Sequence, residues 1–251
     1  MGNIEFLDCN MSYGPDASTE LSVCADFAEL KRQMNRSGVA GGLVFKALQE
    51  PVQANATLAE DIKGEDDLTK GVWSLLPSCT GEIPPPYELP LVMKQNNIAA
   101  LTINPQENRF MPRKLAIGDY MEMARERKIP VLLNTSRGLT MEQADDIMRD
   151  FPDLTVILAY NNRWPNDRMI RPFVESYLNL HLDITYVMTN EGIKDMLLRY
   201  PAEKILFGSG FPMSYMGAHI LEIKHAEISE DAKCLIAGGN LKRLLREVRY
   251  D

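Results

Sequence analysis

Two aspartates, Asp8 and Asp183, close short apolar runs near opposite ends of the chain, and a lysine, Lys46, closes another. Two carboxylates facing one pocket can act as general acid and general base, one protonated while the other is not. Asp8 can equally serve as a structural group at the pocket's edge. A desolvated lysine can act as a base or Schiff-base nucleophile. Held beside a carboxylate it stays charged and unreactive, and the expected partner of Lys46 is Asp8 on the neighbouring run. The remaining run ends carry Asn10 and Ser12, Asn104, Asn134 with Arg137, Tyr160 and Asn161, and Ser209. Amides and hydroxyls of this kind hold a sugar, a polyol or a carboxylate, and Arg137 adds a preference for an anion. The expected partner is therefore a small polar or anionic molecule. Cys9 and Cys79 have no histidine placed to activate them, so both read as unreactive thiols, with Cys9 turned away from Asp8 and Asn10 if side chains alternate regularly.

These residues must be positioned by the runs that precede them. Eight such runs recur: 4–7, 40–45, 72–76, 98–103, 130–133, 155–159, 180–184 and 205–207. Several are rich in Val, Ile and Leu without polar alternation, as in parallel strands buried on both faces. Helical spacing fills the intervals. Over residues 115–128, Leu115, Tyr120, Met123 and Ala124 are expected to share the buried face. Thr140 and Gln143 form a capping box that opens the next helix. Eight strand–helix units in 251 residues predict an α/β fold, a single (β/α)₈ barrel occupying residues 1–251 as one domain. The Pro-rich stretch at Ile83–Pro86 is then a loop over the barrel mouth, and the strand C-termini line the pocket.

Composition narrows the partners. A net charge of −8, with Lys and Arg scattered among acidic neighbours, excludes the concentrated basic face that nucleic acid requires. The four cysteines are far apart and form no metal-binding or redox pair. No apolar run nears the roughly 20 residues of a membrane span, and the N-terminus lacks the pattern of a signal peptide, so a cytoplasmic protein is expected. The sequence is compatible with a homo-oligomer.

Several segments carry a family resemblance. Residues 204–212, Lys-Ile-Leu-Phe-Gly-Ser-Gly-Phe-Pro, resemble the last-strand run RILFGSDFP of the amidohydrolase-related branch of the amidohydrolase superfamily. Asp8, Asn10 and Ser12 fall on the first-strand pattern D-x-H-x-H. Residues 128–134 are similar to the fifth-strand pattern that ends in histidine, with Asn134 in its place, and residues 152–160 to the sixth, with Tyr160 in its place. Residues 182–185 resemble the seventh-strand pattern L-D-x-S, and residues 239–245 the closing NAxRLL. The resemblance implies a TIM barrel and, in ordinary members, a metal held by histidines of the first, fifth and sixth strands and the aspartate of the eighth. Here those positions carry Asn10, Ser12, Asn134, Tyr160 and Gly210, a donor set poor for zinc. No metal and no cofactor are expected. The three histidines lie elsewhere: His181 at the bottom of the seventh strand, His219 and His225 after the eighth, where His219 alone can reach the mouth.

The resemblance implies a metal-independent hydrolase, lactonase-like, acting on a small polar or anionic molecule. The alternative is a non-catalytic ligand-binding or scaffold descendant. A lysine-dependent barrel enzyme sharing only the fold is a third reading, and it would need a reactive Lys46.

Overall fold

The computed structural model describes residues 4–15, 24–47, 50–159, 167–185, 187 and 189–251. Strands and helices alternate along them: β1 (Phe6–Tyr13), α1 (Phe27–Ser37), β2 (Val39–Lys46), α2 (Pro51–Asp61), β3 (Thr69–Ser74), α3 (Leu89–Gln95), β4 (Ile98–Thr102), α4 (Lys114–Glu126), β5 (Val131–Asn134), α5 (Met141–Asp150), β6 (Val156–Ala159), α6 (Asp167–Ser176), β7 (Leu180–Asp183), α7 (Gly192–Leu197), β8 (Ile205–Leu206) and α8 (Met216–His225). Two further helices, α9 (Glu230–Cys234) and α10 (Asn240–Glu247), flank a π-helical segment at Leu235–Gly239. All seven neighbouring strand pairs are parallel and follow chain order. The ring is nearly closed where Cys9 N–H donates to Phe207 O at 2.9 Å and Ser12 N–H to Phe211 O at 2.9 Å. This is the predicted (β/α)₈ barrel.

Alternation divides the core in two. Leu7, Cys9, Leu43, Phe45, Val72, Ala100, Leu132, Ile157, Ala159 and Leu206 form one buried cluster, drawn from seven of the eight strands, and fill the barrel. Their strand neighbours, among them Val44, Trp73, Leu101, Val131 and Leu158, join the larger cluster that packs against the helices. Burial on both faces explains the uninterrupted apolar runs. The missing strand, β7, faces inward with polar His181 and Asp183 instead, both buried.

Strand β1 runs well past the predicted 4–7, continuing through Asp8, Asn10 and Ser12 to Tyr13, every residue buried. A register irregularity against β2 between Asp8 and Met11 breaks its alternation. Cys9 follows Leu7 into the barrel filling by ordinary alternation, and the irregularity lets its neighbour Asn10 reach across the barrel as well. The α4 face also differs from expectation. Tyr120, Met123 and Ala124 are buried with Ile117 and Met121, but Leu115 is 88% exposed. At 100° per residue the stripe centres on Ile117, Met121 and Ala124, which turns Leu115 to solvent. The Pro-rich loop is held by α4, with the Tyr120 hydroxyl donating to Pro84 O at 2.9 Å. At the chain's end, buried Asn240 donates to Ala202 O and Ile205 O at 2.7 and 2.9 Å, tying α10 to the short β8.

The capping box of α5 forms as the sequence predicts: Gln143 N–H donates to Thr140 Oγ1 at 3.2 Å, and Thr140 N–H to Gln143 Oε1 at 2.9 Å. Replacing Thr140 by alanine removes one acceptor from a helix N-terminus. We expect Thr140→Ala to cost about 1 kcal/mol, read as a lower urea midpoint at unchanged slope.

Candidate functional site

At the C-terminal end of the barrel, β1, β7 and the chain after β8 bring two carboxylates under a single asparagine. Asp8 Oδ1 accepts from the backbone N–H of Asn10 at 2.9 Å and of Ser209 at 3.0 Å. Asp183 Oδ1 accepts from Thr185 N–H at 2.8 Å and the Thr185 hydroxyl at 2.6 Å, while its Oδ2 accepts from Asn10 Nδ2 at 2.8 Å. Asn10 thus holds Asp8 with its backbone and Asp183 with its side chain, joining strands 173 residues apart in sequence. Gly208 completes the seat, since a Cβ there would strike Asp183 Oδ1.

Both carboxylates have lost their water: Asp8 is 0% exposed and Asp183 3%. Desolvation penalises the charged form. It lifts Asp8 to about 6, against hydrogen bonding to Ser209 and Asn10 that favours the charge, with a smaller push from Asp183. Burial likewise lifts Asp183, opposed by Thr185, Asn10 and the positive field of His219. Asp8 Oδ2 remains buried with no hydrogen-bond partner. The adjacent Ser209 hydroxyl accepts from Phe211 N–H at 3.1 Å and favours the Asp8 charge from its side. Unsatisfied buried oxygens are uncommon and costly, and they mark places where function has been favoured over stability.

Across the mouth, Asn134 Oδ1 accepts from Ser136 N–H and its hydroxyl at 2.9 and 2.6 Å. Asn104 Nδ2 lies 3.4 Å from Ser74 Oγ, and its Oδ1 is buried without a partner. Arg137 follows on a 3₁₀ turn and lays its guanidinium 4.1 Å from the ring centre of Phe45, a member of the barrel filling. That stack fixes a cation over the mouth.

Three site expectations need comment. Lys46 does not pair with Asp8. Its Nζ lies 3.4 Å from Asp61 Oδ2 and 4.4 Å from the Tyr13 ring centre, and the Tyr13 hydroxyl donates to the same carboxylate at 2.5 Å. Phe45 faces the barrel interior, so its successor Lys46 turns outward to α2, away from the two aspartates. Ser12 donates to Phe211 O at 3.2 Å, so its hydroxyl serves barrel closure. Tyr160 and Asn161 lie outside the described residues. One pairing was not foreseen from the sequence: His219, the histidine read as able to reach the mouth, is buried on α8 with Nε2 3.0 Å from Ser214 Oγ. A lone serine in a loop carries no motif, and only the rarity of histidine in this chain marked the position. His181 sits at the N-terminal end of β7, its Nδ1 3.0 Å from Glu203 O.

Metal ions of the zinc type require several imidazole, carboxylate or thiolate donors at one point. Among the described residues no three His, Cys, Asp or Glu side chains come together in that way. The amides of Asn10 and Asn134 are engaged in the hydrogen bonds above, and Gly210 has φ +63°, a left-handed turn with no side chain. The described donor set does not fit such a centre.

The amidohydrolase family model matches residues 25–246. An uncharacterized TIM-barrel protein from Bordetella bronchiseptica superposes with a TM-score of 0.70 at 19% identity, covering 97% of this chain and 99% of that one. 5-Carboxyvanillate decarboxylase from Sphingomonas paucimobilis gives 0.70 at 13% identity with the same coverage. A probable 2-pyrone-4,6-dicarboxylic acid hydrolase from Acinetobacter baumannii, with citric acid bound, gives 0.66 at 11%, covering 96% and 99%. At such identities the likeness is one of fold. No curated protein matches the sequence.

The Asp8 environment predicts a pH signature. Its folded value of about 6 exceeds the ordinary 3.8, so its contribution to stability is full below about pH 4 and is lost as pH rises through about 6. Roughly two pKa units correspond to about 3 kcal/mol. His181, lowered by burial to about 4, acts with the opposite sign in the same window, losing stability as pH falls from 6.5. The difference between wild type and Asp8→Asn isolates the first effect. We expect the variant, whose amide oxygen can still accept from Asn10 and Ser209, to gain about 3 kcal/mol relative to wild type between pH 4 and pH 7 in urea titrations.

Proposed function

The chain belongs to the amidohydrolase family, and from that premise we propose that it is a hydrolase of small anionic esters or lactones that works without the usual metal centre of the family. The observation that carries this reading is the Asp8 carboxyl, pinned by two backbone amides through one oxygen and left without a partner at the other, beside a second buried carboxylate. A carboxyl lifted to about 6 exchanges its proton near neutrality, as a general base must. Above that pH the unpartnered oxygen of Asp8 takes a proton from a water admitted beside it as the water oxygen bonds to the carbonyl carbon. The carbon–alkoxide bond then breaks, and the proton passes to the departing oxygen. Burial keeps Asp8 basic, and Asp183, held by Asn10 and Thr185, adds a smaller push as a neighbouring carboxylate.

Substrate charge is the province of Arg137, whose planar guanidinium binds carboxylate in two-pronged fashion. Asn104, with its unpartnered Oδ1, offers an acceptor for a hydroxyl on the same ligand. Two structural neighbours bear the names of enzymes of carboxylate-bearing molecules, a carboxyvanillate and a pyrone dicarboxylic acid, which agrees with an anionic ligand. A second reading, a binding protein without catalysis, draws support from the full engagement of Asp183, both of whose oxygens are taken by Thr185 and Asn10.

A panel of carboxylated lactones and esters separates the two. Hydrolysis is expected to rise with pH through about 6, and Asp8→Asn to lower kcat by about 10²-fold or more. Arg137→Ala is expected to raise KM about tenfold with kcat nearly unchanged, the mark of lost substrate binding. Ligands that raise the melting temperature without any turnover would replace the hydrolase by the binding reading.

A further inference from the structure

A second reactive arrangement lies outside the aspartate site, on the chain that leaves β8. Ser214 Oγ is 3.0 Å from His219 Nε2, and the other ring nitrogen, Nδ1, is 3.5 Å from Glu222 Oε2. We propose that Ser214 is a nucleophile activated by His219, with Glu222 orienting the imidazole, and that it takes acyl esters with an apolar acyl group.

Several features support this assignment beyond the pair distance. The two nitrogens face the partners that a serine–histidine–acid relay needs, Nε2 to the hydroxyl and Nδ1 to the carboxylate. His219 is only 4% exposed, so the proton it accepts is not lost to bulk water. Its Nδ1 makes no hydrogen bond as the molecule stands, and the 3.5 Å separation from Glu222 is of the kind that tightens when a proton arrives. Ser214 precedes the N-terminus of the ten-residue α8, which has no side-chain cap; the Ala218 amide is taken by Tyr215 O, and the two amides before it, of Met216 and Gly217, lie at the end that favours an oxyanion formed at that hydroxyl. On either side of Ser214 stand exposed apolar side chains, Met213 at 56% and Tyr215 at 84%, which suit an acyl chain.

The step balances without a cofactor. His219 takes the Ser214 proton as Oγ bonds to the ester carbonyl carbon, and the carbon–alkoxide bond breaks as His219 returns that proton to the leaving alcohol. Water then repeats the sequence to release the acid and restore Ser214. This inference goes beyond the aspartate reading and does not depend on it.

The test is incubation of the full chain with a fluorophosphonate probe, followed by intact mass and peptide mapping. One adduct per chain on Ser214 is expected, absent in Ser214→Ala and formed about 10²-fold more slowly in His219→Asn, the loss typical of a removed general base. Glu222→Gln, on a partly exposed face, is expected to slow labelling about tenfold while leaving the melting temperature in place. Circular dichroism establishes that each variant is folded before labelling is compared. No adduct on the folded wild type, or an adduct that survives Ser214→Ala, would overturn the proposal. Because the probe reads Ser214 directly, lactone turnover can succeed or fail independently of this result.

Discussion

Desolvation of two neighbouring carboxylates is the constraint around which the upper end of this barrel is arranged. An isolated buried charge is very costly, and proteins meet that cost by pairing it, by supplying hydrogen bonds or by protonating it. Here no cation closes on Asp8 or Asp183 among the described contacts. Amides and a hydroxyl do the work instead: Asn10 from β1, Thr185 after β7 and Ser209 after β8. The strand irregularity at Asp8–Met11 permits this arrangement, since it presents both the backbone and the side chain of Asn10 to the site. Seating Asp183 against Gly208 then brings β7 and β8 together at the same level. Barrel closure and site chemistry are consequently one structure, built from the same few residues.

The arrangement also explains how a member of the amidohydrolase family can hold this fold with asparagine and glycine where the resemblance places histidine and aspartate. An asparagine side chain supplies a donor and an acceptor to the same neighbourhood in which imidazoles would offer lone pairs. In the described residues that donor goes to Asp183, crosslinking strands β1 and β7. Gly210 removes one more negative charge from a region that already buries two carboxylates.

How much of this was legible in the sequence follows from the range of each interaction. The eight strands were visible because Val, Ile and Leu runs in a sheet covered on both faces need no periodicity beyond themselves. The Thr140–Gln143 box was visible because its partners lie three residues apart. The same double burial concealed the direction of Lys46: Val44 and Phe45 are both apolar and both buried, so nothing in β2 tells which of them faces inward. Leu115 was misread because Ile117 and Met121, not the first leucine, set the phase of α4. The Asn10–Asp183 bridge spans 173 residues, and no local pattern announces it. Ser214 and His219 became neighbours only when the chain turned from β8 into α8.

Metal content of the purified, unchelated protein, measured across zinc and the first transition row, tests most directly the proposal that this hydrogen-bonded carboxylate pair works without a metal. Substoichiometric traces of every element, in a folded protein, are the predicted result. One equivalent of zinc or manganese per chain, lost on Asp183→Asn or Asp8→Asn, would contradict it and place a metal where Asn10 is described as the bridge.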